Sequence, residues 1–340
     1  MTMTTRLTGA CLSVFFVLFS SARPLLADDR IIDADNRQAN ALLLQGRMEE
    51  ASTLLQRTLA AQPSDALAHQ LLCRVFYAQE MADDAIHECE LAASNAPNDS
   101  NTQMWLGRAY GMKASHANPF LAFGIAKKVH RAFVRAVELD AANAYAMNDL
   151  GEYYVAAPSI IGGGLDKAQT LAATMLPHFP SQSHRLSGLI AEKEKDMPAA
   201  EAEFKSAVAA GRTPEAYIDL GHFYWRQNQP DKVLAALQAG IDADSRRDAA
   251  LVDAASILSS AHLSPQLAES LLREYLSSPA KSDGAPAFKV HLQLGDLLAE
   301  RGDSAGAHRE YAAALALAPN YAPAQKAVQG SQGKKRYHEE

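Results

Sequence analysis

The chain has 340 residues, 48% hydrophobic and 7% aromatic, with three cysteines and a formal net charge of −7. That apolar content excludes a disordered chain, and so few cysteines exclude a small disulfide scaffold. The acidic balance argues against nucleic acid as a partner.

In chain order, Arg6 precedes an apolar run from Leu12 to Phe19 that is too short to span a bilayer. Small residues and then Leu25-Leu26-Ala27 lead into Asp28-Asp29. The pattern predicts a signal peptide over residues 1–27, cleaved near Ala27 with Ala22 as the other site. It therefore predicts a periplasmic or secreted protein. An uncleaved anchor helix is the alternative. Cys11 lies before the apolar run, whereas a lipid-bearing cysteine follows one. Removing residues 1–27 takes Arg6 and Arg23 and no acid, which leaves −9. With no second apolar segment, stable membrane insertion is not expected after cleavage.

Beyond the leader the chain keeps a beat. Pro63 and Pro97 are 34 apart, as are Ala51 and Ala85, and Ala307 and Pro319 repeat the interval between Ala51 and Pro63. A period of 34 belongs to stacked helix-turn-helix units. Each unit touches only its neighbours, so one array replaces the two domains that length alone suggests. Leu72-Cys73-Phe76, Leu106-Gly107-Tyr110, Leu150-Gly151-Tyr154, Leu220-Gly221-Tyr224 and Leu294-Gly295 carry the large-small signature of the first helix in each unit. Gly188 with Ala200 and Phe204 marks a fifth unit, and Ser256, Ala268 and Leu272 mark a degenerate seventh.

This pattern resembles the tetratricopeptide repeat (TPR) family from about Asp33 to Gly330. The resemblance implies an all-α, right-handed superhelical solenoid of about eight repeats, with helices A and B in each and a C-terminal cap helix over Tyr321 to Gln329. Residues 331–340 read as a polar tail. Two stretches break the beat. Gly107 to Phe133 carries ten extra residues, near 113–131, and Gly151 to Ala168 carries five, near 158–165. Pro119 opens a helix at its first turn, extending helix B of repeat three through Phe120, Phe123 and Val129. That overhang either packs on its own repeat or forms an arm for a partner or second copy. Gly162-Gly163-Gly164 reads as a tight loop with positive φ angles, with Asp166 as the next helix cap. Gly107-Arg108-Ala109-Tyr110-Gly111, Ala157-Pro158, the three glycines and Lys167-Ala168 resemble a subset of exported bacterial TPR proteins.

Helical spacing separates the core stripe from an opposite face, which in a TPR stack lines the concave groove. That face collects Arg74, Tyr77, Met104, Arg108, Met112, Asn148, Glu152, Arg185, His222, Trp225 and Arg226, and Trp105 also misses the core stripe. Aromatic and arginine side chains dominate binding hot spots, so these residues are the candidate partner-binding site. The alternative is that each tryptophan covers a neighbouring helix edge.

Cys73 and Cys89 face each other from helices A and B of repeat two, as a disulfide or as two buried thiols. His69 and His87 accompany them, but His87 points away from Cys89, so no metal is assigned. The other histidines read as scattered, and no nucleophile, zinc-hydrolase or dinucleotide motif occurs. No catalytic residue and no cofactor are assigned. The expected function is a non-enzymatic scaffold that binds protein or peptide in the bacterial cell envelope. The alternative is a small-molecule-binding subunit of a solute-transport system, with a closed apolar cavity in place of a groove.

Overall fold

The computed structural model describes residues 27–336, with side chains over 33–330. The predicted leader therefore lies outside the described residues, apart from Ala27, which opens the first helix. Seventeen α-helices and one short 3-10 turn follow, with no strand among the described residues.

They pair as helix A and helix B, eight times over. The first four pairs are α1 (Ala27–Leu44) and α2 (Met48–Ala61), α3 (Ala66–Ala78) and α4 (Ala82–Asn95), α5 (Ser100–His116) and α6 (Pro119–Leu139), and α7 (Ala144–Ala156) and α8 (Leu165–Met175). The second four are α9 (Pro180–Lys193) and α10 (Met197–Gly211), α11 (Pro214–Arg226) and α12 (Pro230–Ala243), α13 (Ala249–Ser260) and α14 (Pro265–Ser277), and α15 (Ala287–Glu300) and α16 (Ser304–Leu317). α17 (Ala322–Arg336) caps the array and continues well into the stretch predicted as a polar tail. Tyr321 and Ala324 are buried at its start, so this helix covers the last repeat.

Inside each unit the small residue of helix A admits a large one from helix B. A Cβ on Gly107 would stand 2.4 Å from the Phe133 ring, and one on Gly295 would stand 2.4 Å from Tyr311. Asp65, Asp99, Asn143, Asp196, Thr213 and Asp303 accept a backbone N–H at the starts of their helices, which satisfies donors that a helix terminus otherwise leaves open.

The beat has a backbone cause. Gly46, Glu80, Lys195, Asn228, His262 and Gly302 are all in the left-handed region, each just after helix A of its repeat. At each, the residue's own N–H and the next one bond back to the helix, as Gly46 N to Leu43 O and Arg47 N to Leu42 O do at 2.9 Å. This is the paired-bond helix ending that favours glycine. Repeats three and four lack it, and these are the two with insertions. In repeat three the extra residues lengthen both helices, to 17 and 21 residues against 13 and 14 in repeat two. In repeat four the chain turns through Ser159–Ile161 and the glycines, with φ at +101° for Gly162 and +149° for Gly164. Gly164 occupies the cap position of α8 without a side-chain bond, so Asp166 lies inside the first turn and is not the predicted cap.

A third break went unpredicted. Gly221 and Gly295, two repeats apart, are separated by six residues more than two periods of 34. The surplus lies in the strap from Ser278 to Pro286, between α14 and α15. The strap makes the two ends of the array meet. Arg74 on α3 donates from Nε and Nη2 to Asp283 of the strap at 3.0 and 2.7 Å. Lys289 and Tyr321 both donate to Glu80, at 2.8 and 3.2 Å. Leu42, Leu43, Leu71 and Val75 share one apolar cluster with Phe288 and Tyr321. The helix A–helix B turns of repeats one and two rest on the start of α15 and the corner before α17.

Candidate functional site: the inner face

The A helices carry a ladder of charges from repeat to repeat. Arg108 on α5 donates to Asp149 on α7 through Nε and Nη2, at 2.6 and 3.3 Å. Arg185 on α9 donates to Glu152 on α7 at 2.7 Å and to Asp219 on α11 at 2.9 Å. Arg226 on α11 holds Glu192 on α9 with two bonds of 2.7 Å. Two-pronged arginine–carboxylate pairs fix geometry as well as charge. Asp149, Asp219 and Asp253 each stand two residues before the small residue of their helix A, which in repeat seven is the buried Ala255 and not the predicted Ser256. Trp105 occupies that same slot on α5.

The predicted site residues divide into two groups. Arg74, Tyr77, Trp105 and Arg108 form one. The Trp105 ring lies between the Arg74 and Arg108 guanidinium groups, at 5.3 and 4.7 Å, with Tyr77 edge-on at 5.5 Å. Such cation–π contacts order the arginines. Trp105 thus fills the joint between α3 and α5, with Met112 packed partly against the same cluster. Met104 does not belong to the site. It is 4% exposed and packs with Ala136 and Ala146, because its turn of α5 faces the next repeat.

Cys73 and Cys89 are bridged beneath this group, with Cα atoms 5.3 Å apart. His69 lies away from the bridge, bonded through Nδ1 to Glu88 at 2.6 Å and through Nε2 to the Pro63 carbonyl at 3.0 Å. Two of the histidines predicted to be scattered repeat this pairing. His184 pairs with Glu203 and His291 with Glu310, each at 2.7 Å and each across the same 19-residue separation as His69 and Glu88. All three pairs fasten helix A to helix B within a repeat.

Glu152, His222 and Arg226 belong to the second group. A cavity of about 340 Å³ opens on the inner face between α9, α11 and α13, lined by Arg185, Asp219, His222, Arg226, Glu215 and Asp253. Two arginines here confront five carboxylates, those of Glu152, Glu192, Glu215, Asp219 and Asp253. Asp253 and Glu215 are exposed and neither is ion-paired among the described residues. The walls of the concavity strip water from the Asp253 carboxyl although the side chain still reaches solvent, and with Asp219, Glu215 and Asp248 nearby this pushes it up to about 6. Burial also holds the His222 imidazole below its ordinary value, as do Arg226 and Arg185. Trp225 is 37% exposed and stands beside His222, with ring centroids 6.0 Å apart. It lines a separate cavity of about 240 Å³ with Gln229 and Pro230.

Sequence reasoning missed Asp149, Asp219, Asp253 and Asp283. The first three were legible as a recurring aspartate in one slot of helix A. Asp283 arrives from the strap and had no such signal.

Paired antiparallel helices in a continuous stack, with a ladder of contacts between successive A helices, define a helical-repeat protein. Among solved structures the chain is similar to yeast Tom70, with a TM-score of 0.54 at 14% identity over 95% of this chain and 67% of that one. It is also similar to a thermophilic TPR protein of Thermus thermophilus, at 20% identity and a TM-score of 0.46 over 68% of this chain and 98% of that one. A TPR protein from Parabacteroides merdae matches at 10% identity and a TM-score of 0.45, over 89% and 99% of the two chains. No protein-family model matches the sequence, and no curated protein does. The chain has the fold of tetratricopeptide-repeat proteins.

Proposed function

We propose that this protein is a non-enzymatic scaffold that holds a basic peptide segment of a protein partner against its inner face. The observation that carries the reading is the cavity between α9, α11 and α13, where Asp253 and Glu215 face open space without a cation. A lysine or arginine side chain seated there would neutralise the excess carboxylates, and complementary charge favours both encounter and choice of partner. Trp225 and the side chains around Gln229 provide a neighbouring surface for the rest of the segment. Most of the lining is charged, and Glu215, Arg226 and Asp253 on it are exposed, which supports a groove over the closed apolar cavity that a solute-transport subunit would use.

The cell envelope is the proposed location. It rests on the signal-like N-terminal pattern and on the Cys73–Cys89 bridge, a bond that persists in oxidising compartments.

Panning a random peptide library on the protein tests the function. Enrichment of lysine- and arginine-bearing sequences, lost in the variant Glu215→Gln/Asp253→Asn, is the expected result. Enrichment of acidic or purely apolar sequences, or capture indifferent to the substitutions, would overturn it.

A further inference from the structure

The inserted arm of repeat three has no part in the inner face. Asn118 caps α6 by accepting from the Leu121 N–H, and Pro119 opens its first turn. The three large side chains that follow point to solvent, with Phe120 94%, Leu121 59% and Phe123 41% exposed. Single exposed apolar residues need no explanation, but a contiguous group marks a contact surface. The buried stripe of α6 is Val129, Ala132, Phe133 and Ala136, so the helix is anchored by its second half and its tip projects.

The solvent face of the arm changes character along its length. Phe120 and Phe123 lead, by helical spacing, to Lys127 and Arg131 on the same stripe, with Lys128 beside them. All three cations are exposed, and Lys127 lies over the Phe123 ring at 4.4 Å. Lys127 and Arg131 are not ion-paired among the described residues. Between Asp99 and Glu138 the sequence holds no acid and six cations, of which Arg108, Lys113, Lys128 and Arg135 are ion-paired with Asp149, Asp83, Glu90 and Glu138, leaving Lys127 and Arg131 to face solvent. The basic band begins about 10 Å behind Phe120, taking the helical rise per residue. That matches the depth to which interfacial segments sink their apolar side chains below the phosphates. Ile160, 72% exposed, adds an apolar point on the turn that packs beside α6.

An apolar tip followed by a cationic band meets its complement in a bilayer rich in anionic lipid, which presents a negative surface and an apolar interior in the matching order. We infer that the α5–α6 arm docks this protein on an anionic membrane surface. Phe120, Leu121 and Phe123 enter the interface, and Lys127 and Arg131 sit on headgroup phosphates, while Lys128 is held by Glu90 at 3.7 Å. The attachment is peripheral, since no described helix is long and apolar enough to cross a membrane. The acidic remainder of the array is repelled by the same surface, so the arm also sets the orientation.

Co-sedimentation of the full chain with vesicles of phosphatidylglycerol and phosphatidylethanolamine in equal parts, against pure phosphatidylcholine, tests the inference. Binding is expected to the anionic vesicles alone. Lys127→Gln/Arg131→Gln should weaken it roughly 20-fold, each cation being worth roughly fivefold near such a surface. Phe120→Ser/Phe123→Ser should weaken it at least about tenfold through lost apolar area. All four side chains are exposed, so both variants should melt like the wild type. The indole introduced by Phe120→Trp should shift to the blue on vesicles and be quenched by brominated acyl chains, which reads the tip itself whatever other segments contribute. An unshifted indole, equal sedimentation of wild type and both double variants, or preference for neutral lipid would overturn the inference. So would a Phe120→Ser/Phe123→Ser variant that loses self-association while keeping vesicle binding, since the tip would then be a contact between copies.

Discussion

Gly46 and Gly302 form a matched pair for testing whether the ends of the array meet in solution. Both follow helix A of their repeats, both are left-handed, at φ of +79° and +85°, and both make the same pair of back-bonds. They differ in surroundings. A Cβ on Gly302 would meet nothing within 4 Å, whereas one on Gly46 would stand 2.8 Å from the Ala287 backbone nitrogen and 3.3 Å from the Ala287 Cβ. Alanine at either position carries the left-handed penalty of about 1–2 kcal/mol. At Gly46 it also forces apart two backbones from opposite ends of the chain, and overpacking of that kind costs about 1–3 kcal/mol more. Gly46→Ala should therefore lose about 2–5 kcal/mol and Gly302→Ala about 1–2 kcal/mol, read from urea midpoints at a common slope. Losses equal to within about 0.5 kcal/mol would refute the closure, because only the local term would then be acting.

Other substitutions probe other joints. Arg108→Ala leaves Asp149 without its cation in a joint where both side chains are at most a quarter exposed, so thermal unfolding should show a loss of about 2 kcal/mol. That result would give this arginine a structural role beside its place in the predicted partner-binding face. Opening the Cys73–Cys89 bridge, by reduction or by Cys73→Ser/Cys89→Ser, should cost about 3 kcal/mol for so short a loop, with melting followed with and without reductant. Lys195→Gly should gain up to about 1 kcal/mol by relieving a left-handed residue, while Lys195→Ala should be neutral. The raised Asp253 carboxyl gives a signed pH effect. The folded state keeps a proton that the unfolded chain has released, so stability falls as pH rises from about 4 to about 6. Asp253→Asn should remove that fall and gain at most about 1 kcal/mol near pH 7, since solvent screens an exposed group, as melting across that range would show.

The architecture was legible because its cause is local. Small-for-large packing such as Gly107 on Phe133, and the left-handed residue after each A helix, both recur in sequence. The third break escaped notice because repeat seven lacks the glycine that fixes phase, so six surplus residues passed unseen. Helical projection placed Arg74, Arg108 and His222 on the inner face because spacing decides which way a side chain points. It failed for Met104, which packs on Ala136 of α6 and Ala146 of α7. The pairing of the arginines was invisible, since their partners lie up to 209 residues away.

An array whose ends touch has lost the freedom that usually comes with modular construction. In an open stack a repeat gained or lost changes length and little else. Here, adding or deleting one would carry Glu80 away from Lys289 and Tyr321, and Arg74 away from Asp283. Repeat number is thereby locked, and contacts spanning more than 200 residues tie the first repeats to the last as one cooperative unit. The arm, the glycine loop and the strap, which break the period, all lie at connections between helices, where they leave these long-range contacts in place.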